Sequence, residues 1–344
     1  MPLTLYVDGP RWRAHLTATL TASPGLIPVA KGNGYGFGLG RLARRAEWLH
    51  ADTLAVGAYR EVADVERRFG GDILVLEPWR PFLPDVPYGA RIIHTVSRAT
   101  DLVELAAATT RPRVVLEGLT SMCRYGFALP DLAAIGAQVA NGRAAPGVRL
   151  VGHALHLPLG GGHLAEVEEW LAAAPAAHWY VSHLGADELA ELRHRHPGTT
   201  FRPRVGTALW LGDRSFLSPR ATVLDVHPVS RGERVGYRQR PIPRDGCLVV
   251  AAGGTSHGIA LEAPAAAASA RQRAVSLARG GLDAAGRALS PYLIDGKRRW
   301  FVEPPHMQVS MLFLPAGATV PTPGDEVSVQ VRNTTTNFDR VLVS

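Results

Sequence analysis

Short apolar runs alternate with amphipathic ones over the first two-thirds of the chain. LIPVAK, TLAVGA, DILVLEP, RIIHTV, RVVLEG, LVGHALHL, HWYVS and FRPRVGTAL read as short buried strands. Between them lie LGRLARRAEWLH, REVADVERR, RATDLVELAAAT, PDLAAIGAQVA and AEVEEWLAAA. Their apolar residues recur at three- and four-residue spacing, which predicts helices. About eight strands, most followed by a helix, fit an α/β fold of the (β/α)8, TIM-like barrel type. A doubly wound sheet is the alternative, because a strand count from one sequence can err by one or two.

The pattern changes near Ser218. ATVLDVHPV, RVGYRQR, GCLVVAAG, RRWFVEP, EVSVQVR and RVLVS read as strands separated by Pro/Gly turns. The expected organisation is therefore a barrel over residues 11–215 and a mostly β domain over 216–344. A helix-like insert over residues 263–289 interrupts the second part, and no internal repeat is present.

Composition narrows the class without naming a function. The 344 residues are 46% hydrophobic and 19% charged, which suits a globular chain of one large or two ordinary domains. Two cysteines, Cys123 and Cys247, are too few for a disulfide framework and suit a reducing cytoplasm. No apolar run reaches the roughly 18 residues of a membrane span. Asp8, Arg11 and Arg13 stand where an export signal would have its apolar core. The formal charge of +7 raises nucleic acid as a partner, but the arginines are scattered and no basic block exceeds GKRRW. An anionic small ligand accounts for some of that charge more simply.

One cation stands out by its type. Lys31 is one of only two lysines, the other being Lys297, among 37 lysines and arginines. A position that takes lysine in so arginine-rich a chain needs an amine rather than a charge alone. Lys31 closes the first predicted barrel strand, and GNGYGFGLG follows, with five glycines in nine residues. Active sites of such barrels lie at the C-terminal ends of the strands, and glycines let backbone approach a ligand closely. A lysine there can be a Schiff-base nucleophile, a phosphate clamp or a surface charge.

VAKGNGYGFG resembles the pyridoxal-phosphate lysine motif of alanine racemases, Val-Lys-Ala-Asn-Ala-Tyr-Gly-His-Gly. Both alanines are glycine here (Gly32, Gly34) and the histidine is Phe37. The resemblance implies that Lys31 links covalently to the cofactor and that Tyr35 bonds its phosphate. LEGLTSMCRYGF is similar to Lys-Val-Asp-Thr-Gly-Met-x-Arg-x-Gly, which places the substrate-carboxylate arginine at Arg124. Glu117 stands where the family has a carbamylated lysine, and a carboxylate there could hold Arg124 directly. VGHALHLPL places His156 against the cofactor ring. His153 and His156 also suggest a metal, but in a strand they project to opposite faces and lack a third ligand, so none is expected. YVSHLGA implies a phosphate ligand at Ser182, with His183 as the alternative. FRPRVGTALWLG resembles Arg-Pro-Gly-Ile-x-Leu-Tyr-Gly and places Arg204 at the pyridine nitrogen, with Gly206 and Thr207 at the phosphate.

The resemblance continues into the second part. SRGERVGYR is similar to Gly-Glu-x-Val-Ser-Tyr-Gly, and GDEVSV to Gly-Asp-Glu-Val. EPPHMQVSM resembles the Cys-Met-Asp-Gln segment and puts Met307 near the substrate carboxylate. TTTNFDRVL carries Phe338 where the family has a phosphate-binding tyrosine. It further implies that LTLYV near the N-terminus joins the β domain and that two chains form a homodimer with shared active sites. The departure is in AAGGTSHGIA: the family's second catalytic base, a tyrosine from the partner subunit, is replaced, most simply by Gly254. Two-sided proton transfer needs another acid/base, and the candidates are His257, Tyr292 and Ser256. Three readings stay open: a racemase with a substituted second base and His257 in that role, another pyridoxal-phosphate reaction such as decarboxylation, and a cofactor-binding protein without turnover.

Overall fold

The computed structural model describes residues 2–261, 280 and 288–344, so nearly all of the predicted insert 263–289 lies outside the described residues. They divide into two compact units. One comprises residues 13–34 and 38–212, and the other residues 1–12, 35–37 and 213–344.

The strands, in chain order, begin with β1 (Leu3–Val7). Then come β2 (Ile27–Ala30), β3 (Thr53–Val56), β4 (Asp72–Pro78) and β5 (Ile92–Val96). They are followed by β6 (Arg113–Gly118), β7 (Arg149–His156), β8 (His178–Ser182) and β9 (Thr200–Val205). Strands β2 to β9 form a closed parallel barrel, with β2 pairing β9 at Ile27↔Arg204 and Pro28↔Val205. The barrel is thus closed, and the doubly wound alternative falls. Each strand coincides with one of the eight apolar runs.

Side-chain alternation decides what fills the barrel. Ile27, Val29, Ala55, Leu74, Ile93, Val115, Ala154 and Tyr180 form one buried cluster. Each is an aliphatic or aromatic side chain at the same parity of its strand, as interior layers of such a barrel require. One pleat further along, the same parity gives Lys31, Glu117, His156 and Ser182. That register carries the polar residues to a common rim.

The helices α1 (Gly9–Ala22), α2 (Leu39–Trp48), α3 (Val62–Glu66), α4 (Ala99–Ala108), α5 (Leu129–Ala140), α6 (Leu164–Ala173), α7 (Ala186–Arg195) and α8 (Thr207–Leu211) separate the strands. Helices α2 to α6 match the amphipathic runs. In α1 the buried residues Trp12 and Leu16 are four apart, but the threonines around them blur the stripe. No described helix is long and apolar enough to cross a membrane.

The second unit is built on an eight-stranded sheet. Its strands after the barrel are β10 (Leu217–Val229), β13 (Gly246–Ala252), β14 (Leu289–Ile294), β15 (Lys297–Phe301), β16 (Val309–Pro315), β17 (Glu326–Val329) and β18 (Arg340–Val343). The two-residue strands β11 (Arg234–Val235) and β12 (Arg240–Pro241) pair separately. The sheet order is β13-β16-β15-β14-β17-β10-β1-β18. β1 runs antiparallel to β10 and parallel to β18.

Tyr292 lies in the core of this sheet, fully buried, so it is not available as a second base. Its hydroxyl donates toward Gly253 O at 2.8 Å and Ala252 O at 2.9 Å. Burial pushes the phenol well above its usual range, against a smaller opposing hydrogen bond with Ser310. Tyr292→Phe leaves buried carbonyl oxygens short of a donor. Thermal or urea unfolding should show a loss of roughly 1–2 kcal/mol.

Candidate active site

Lys31 follows directly on β2 at the barrel rim. Its side chain still reaches solvent, yet enough protein surrounds it to disfavour charge. Burial lowers its pKa most, Arg124 and Arg204 lower it further, and Glu61 opposes them. The loop after it turns through left-handed conformations at Gly32, Gly34, Tyr35, Gly36 and Gly38. A Cβ at Gly36 would lie 2.9 Å from the Phe338 ring, so that turn requires glycine. Tyr35 itself is buried and belongs to the β unit.

Glu61 was not visible as a site residue in the sequence. Its carboxylate is buried and accepts N–H bonds from Gly32 at 2.8 Å, Gly57 at 2.7 Å and Ala58 at 3.3 Å. It therefore fixes the backbone that follows β2 and β3 beside Lys31. Gly57 is part of the same arrangement, because a Cβ there would lie 2.9 Å from Lys31 Cβ. The only local signal is an acidic residue just after a strand–glycine end, which many surface helices share.

Across the rim, His156 ends β7 and Ser182 ends β8, with Ser182 Oγ and His156 Nδ1 2.8 Å apart. Thr120 Oγ1 donates to His156 O at 2.6 Å and fixes the strand end. Burial first, then Arg204, Arg124 and other cations, lower the His156 pKa to about 3. The imidazole is neutral. His183 is exposed beside it, its ring centroid 5.3 Å away, and its backbone is left-handed (φ 62°). His153 is on the opposite side of β7, buried edge-on to Trp179 and bonded to Ala174 O. Among the described residues no group of His, Cys, Asp and Glu is arranged to hold a metal.

Arg204 is buried near the end of β9, where its Nη2 donates to Leu155 O at 2.8 Å. Its Nε proton has no acceptor among the described residues. Gly206 precedes the five-residue α8, and Thr207, its first residue, is exposed. Arg124 is also exposed, with its guanidinium 5.1 Å from the Tyr125 ring centroid. The expected direct pair between Glu117 and Arg124 is absent: Glu117 is buried, and its Oε2 has no hydrogen-bond partner among the described residues. Burial pushes the Glu117 carboxyl up, while Arg204, Arg124 and Arg80 pull it down from a distance. Its influence on Arg124 is through the field rather than a bond.

Met307, His257 and Ser256 also belong to the β unit. Met307 is exposed, and its carbonyl accepts from Ser256 N at 3.0 Å and Ser256 Oγ at 2.6 Å. His257 closes a short turn. Its Nδ1 accepts from Gly254 N–H at 3.2 Å, and its Nε2 lies 3.2 Å from both Asp339 carboxylate oxygens. With both nitrogens engaged, His257 clamps its own loop and offers no free lone pair for catalysis. Ser256 is likewise committed to Met307. The family tyrosine cannot simply be restored either, because a Cβ at Gly254 would lie 2.2 Å from His306 O.

The N-terminal domain family of alanine racemases matches residues 11–201. An alanine racemase from Nitratidesulfovibrio vulgaris (strain DSM 19637 / Miyazaki F) is 28% identical over 260 residues, 67% of this chain and 69% of that protein. The structure of alanine racemase from Bartonella henselae with covalently bound pyridoxal phosphate superposes with a TM-score of 0.74 at 15% identity, covering 100% of both chains. Histidine racemase from Leuconostoc mesenteroides subsp. sake NBRC 102480 does so with a TM-score of 0.69 at 16% identity, covering 100% of this chain and 98% of that one. These superpositions show the barrel and β domain as a shared fold. The domain match spans more than half of the sequence, and the chain belongs to the alanine racemase family.

Proposed function

We propose that the chain is an amino-acid racemase working with pyridoxal phosphate held by Lys31. The observation that carries this reading is the Lys31 amine, set at the barrel rim where burial and two arginines disfavour its charged form. A nucleophile and a base both need the neutral amine. The residues fit the cofactor: the unsatisfied Arg204 Nε–H is a buried donor that a pyridine nitrogen can accept from.

Pyridoxal phosphate, when bound, supplies an electron sink for the α-carbon of an amino acid. Arg204 would face the ring nitrogen and disfavour a proton there, which would moderate the sink and favour brief proton removal and return. His156, as a neutral imidazole, packs on the ring. Tyr35, Ser182, Gly206 and Thr207 hold the phosphate. Arg124 and the Met307 backbone hold the substrate carboxylate. Lys31 removes or returns the α-proton on one face.

Racemisation also needs a proton carrier on the other face. In this reading two chains form a homodimer, and the β unit of the partner supplies that carrier together with Met307. The cytoplasm is the proposed location, supported by Cys123 and Cys247 both being free thiols. Two features favour a different pyridoxal-phosphate reaction, such as decarboxylation. Gly254 leaves no room for the family tyrosine, and Phe338 lacks the hydroxyl of the phosphate-binding one.

The depressed pKa has a definite sign. A lysine whose charged form is disfavoured keeps a larger neutral fraction at a given pH. In the cofactor-free protein, Lys31 should react with an amine-selective reagent at lower pH than lysine in an unfolded peptide, as peptide mapping would report. Lys31→Ala should remove the absorbance band of bound cofactor. An unchanged spectrum rejects Lys31 as the attachment point. For the reaction itself, the cofactor-loaded protein is incubated in heavy water with L- and D-amino acids. Uptake of α-deuterium with inversion is the expected result. Exchange with retention throughout, or carbon dioxide release instead, replaces the racemase with the alternative.

A further inference from the structure

Arg124 rides on the loop between β6 and α5, within the barrel unit. Backbone pairing fixes the base of that loop. Leu119 N–H donates to Phe127 O at 2.8 Å, and Phe127 N–H donates to Glu117 O at 2.8 Å. Gly126 allows the closure at φ +139°, where a Cβ would lie 2.2 Å from Leu119 N. The tip is held differently. Ser121, Met122, Cys123, Arg124 and Tyr125 are all exposed. Arg124 forms no ion pair among the described residues, and its guanidinium lies over the Tyr125 ring. An exposed arginine on such a tip moves with the loop unless another element restrains it.

Helix α6 supplies the restraint. One carboxylate oxygen of Glu166 accepts from Ser121 N–H at 2.6 Å, and the other accepts from Ser121 Oγ at 2.8 Å. Both bonds end on a carboxylate, which makes them stronger than neutral ones. They grip the chain three residues before Arg124. One turn further along α6, Trp170 packs against the loop's base: a Cβ at Gly118 would lie 2.7 Å from Trp170 Cζ3. Glu166 and Trp170 are four residues apart, so one face of α6 meets both the base and the tip.

The start of α6 is anchored in turn. Its N-cap residue, His163, donates its backbone N–H to Glu188 of α7 at 2.7 Å. The same Glu188 accepts from Gly185 N–H at 2.8 Å. The grip on the tip therefore runs through two helices rather than through one loose side chain. Glu166 also lies in the first turn of α6, where the helix dipole favours an anion.

Arg124 acts on Lys31, whose pKa it lowers, so the tip is within electrostatic reach of the amine. We propose that Glu166 is a positioning residue for Arg124: by holding Ser121 it sets the loop tip so that the guanidinium meets the carboxylate of the amino acid bound at Lys31. This rests on the reading above, in which Arg124 holds that carboxylate. Glu117 makes no bond to Arg124, so orientation has to come from elsewhere. A carboxylate bonded to Arg124 itself would compete with the substrate for the guanidinium. One spent on Ser121 sets the arginine's place and leaves its donors free.

The test follows the absorbance band of the cofactor-loaded protein during titration with L-alanine, D-alanine and ethylamine, which is alanine without its carboxylate. Wild type, E166A, R124A and the double variant are compared. E166A should keep the band and the wild-type response to ethylamine, but should need about tenfold more of either alanine. R124A should need at least as much. Adding E166A to R124A should change little further, because both act through one interaction. Alanine titrations of E166A that match wild type overturn the proposal. So do losses that add in full in the double variant, or equal losses for alanine and ethylamine, which mark a purely structural role. A wild type that keeps its band but takes ethylamine as readily as alanine removes the carboxylate role of Arg124, and this proposal with it. A wild type without the band removes the pyridoxal-phosphate reading itself.

Discussion

Crowding of positive charge at the barrel rim is the constraint on which the site depends. Burial lowers the affinity of Lys31 for its proton, and Arg124 and Arg204 lower it further. The anions that answer them are few and indirect. Glu61 is spent on three backbone N–H groups, and Glu117 is buried without a direct arginine partner. Such a rim is costly while empty of an anion, and it favours a ligand that brings negative charge. Burial first, with the same cations adding to it, keeps His156 neutral, so desolvation and charge together set the lysine as a nucleophile and the histidine as an uncharged packing surface.

The barrel was largely legible in the sequence because its strands are short, buried and punctuated, so their count survives without tertiary information. Parity along those strands also explains why Lys31, Glu117, His156 and Ser182 could be gathered from separate motifs. Helix α1 was missed because its buried stripe is interrupted by threonines. Strand β16 was missed because VSMLFLP follows a proline-rich loop with no clear alternation, and β14 because its start, Leu289, was assigned to the insert.

Partners distant in sequence were the less legible part. Glu61 meets Gly32 across 29 positions, and His257 meets Asp339 across 82. His257 drew attention because it lies three residues from Gly254, whereas its hydrogen bonds show a loop clamp. Glu117 was expected to touch Arg124 because they are seven positions apart in a familiar motif, yet burial at a strand end and exposure in a loop keep them from pairing. Proximity along the chain proposed a contact in each case, and backbone direction decided whether it formed.

Strand order in the β unit has a consequence for biogenesis. β1 sits between β10 and β18, so it is made before the barrel and finds its neighbours only after the whole barrel has been translated. Until then its edges stay unpaired, which is the condition under which strands aggregate. The barrel can close while the ribosome is still working, because its first and last strands both precede β10. Folding of the sheet is held back until β18 has been made. Truncation of even the last few residues would deprive β1 of the parallel partner that covers its outer edge.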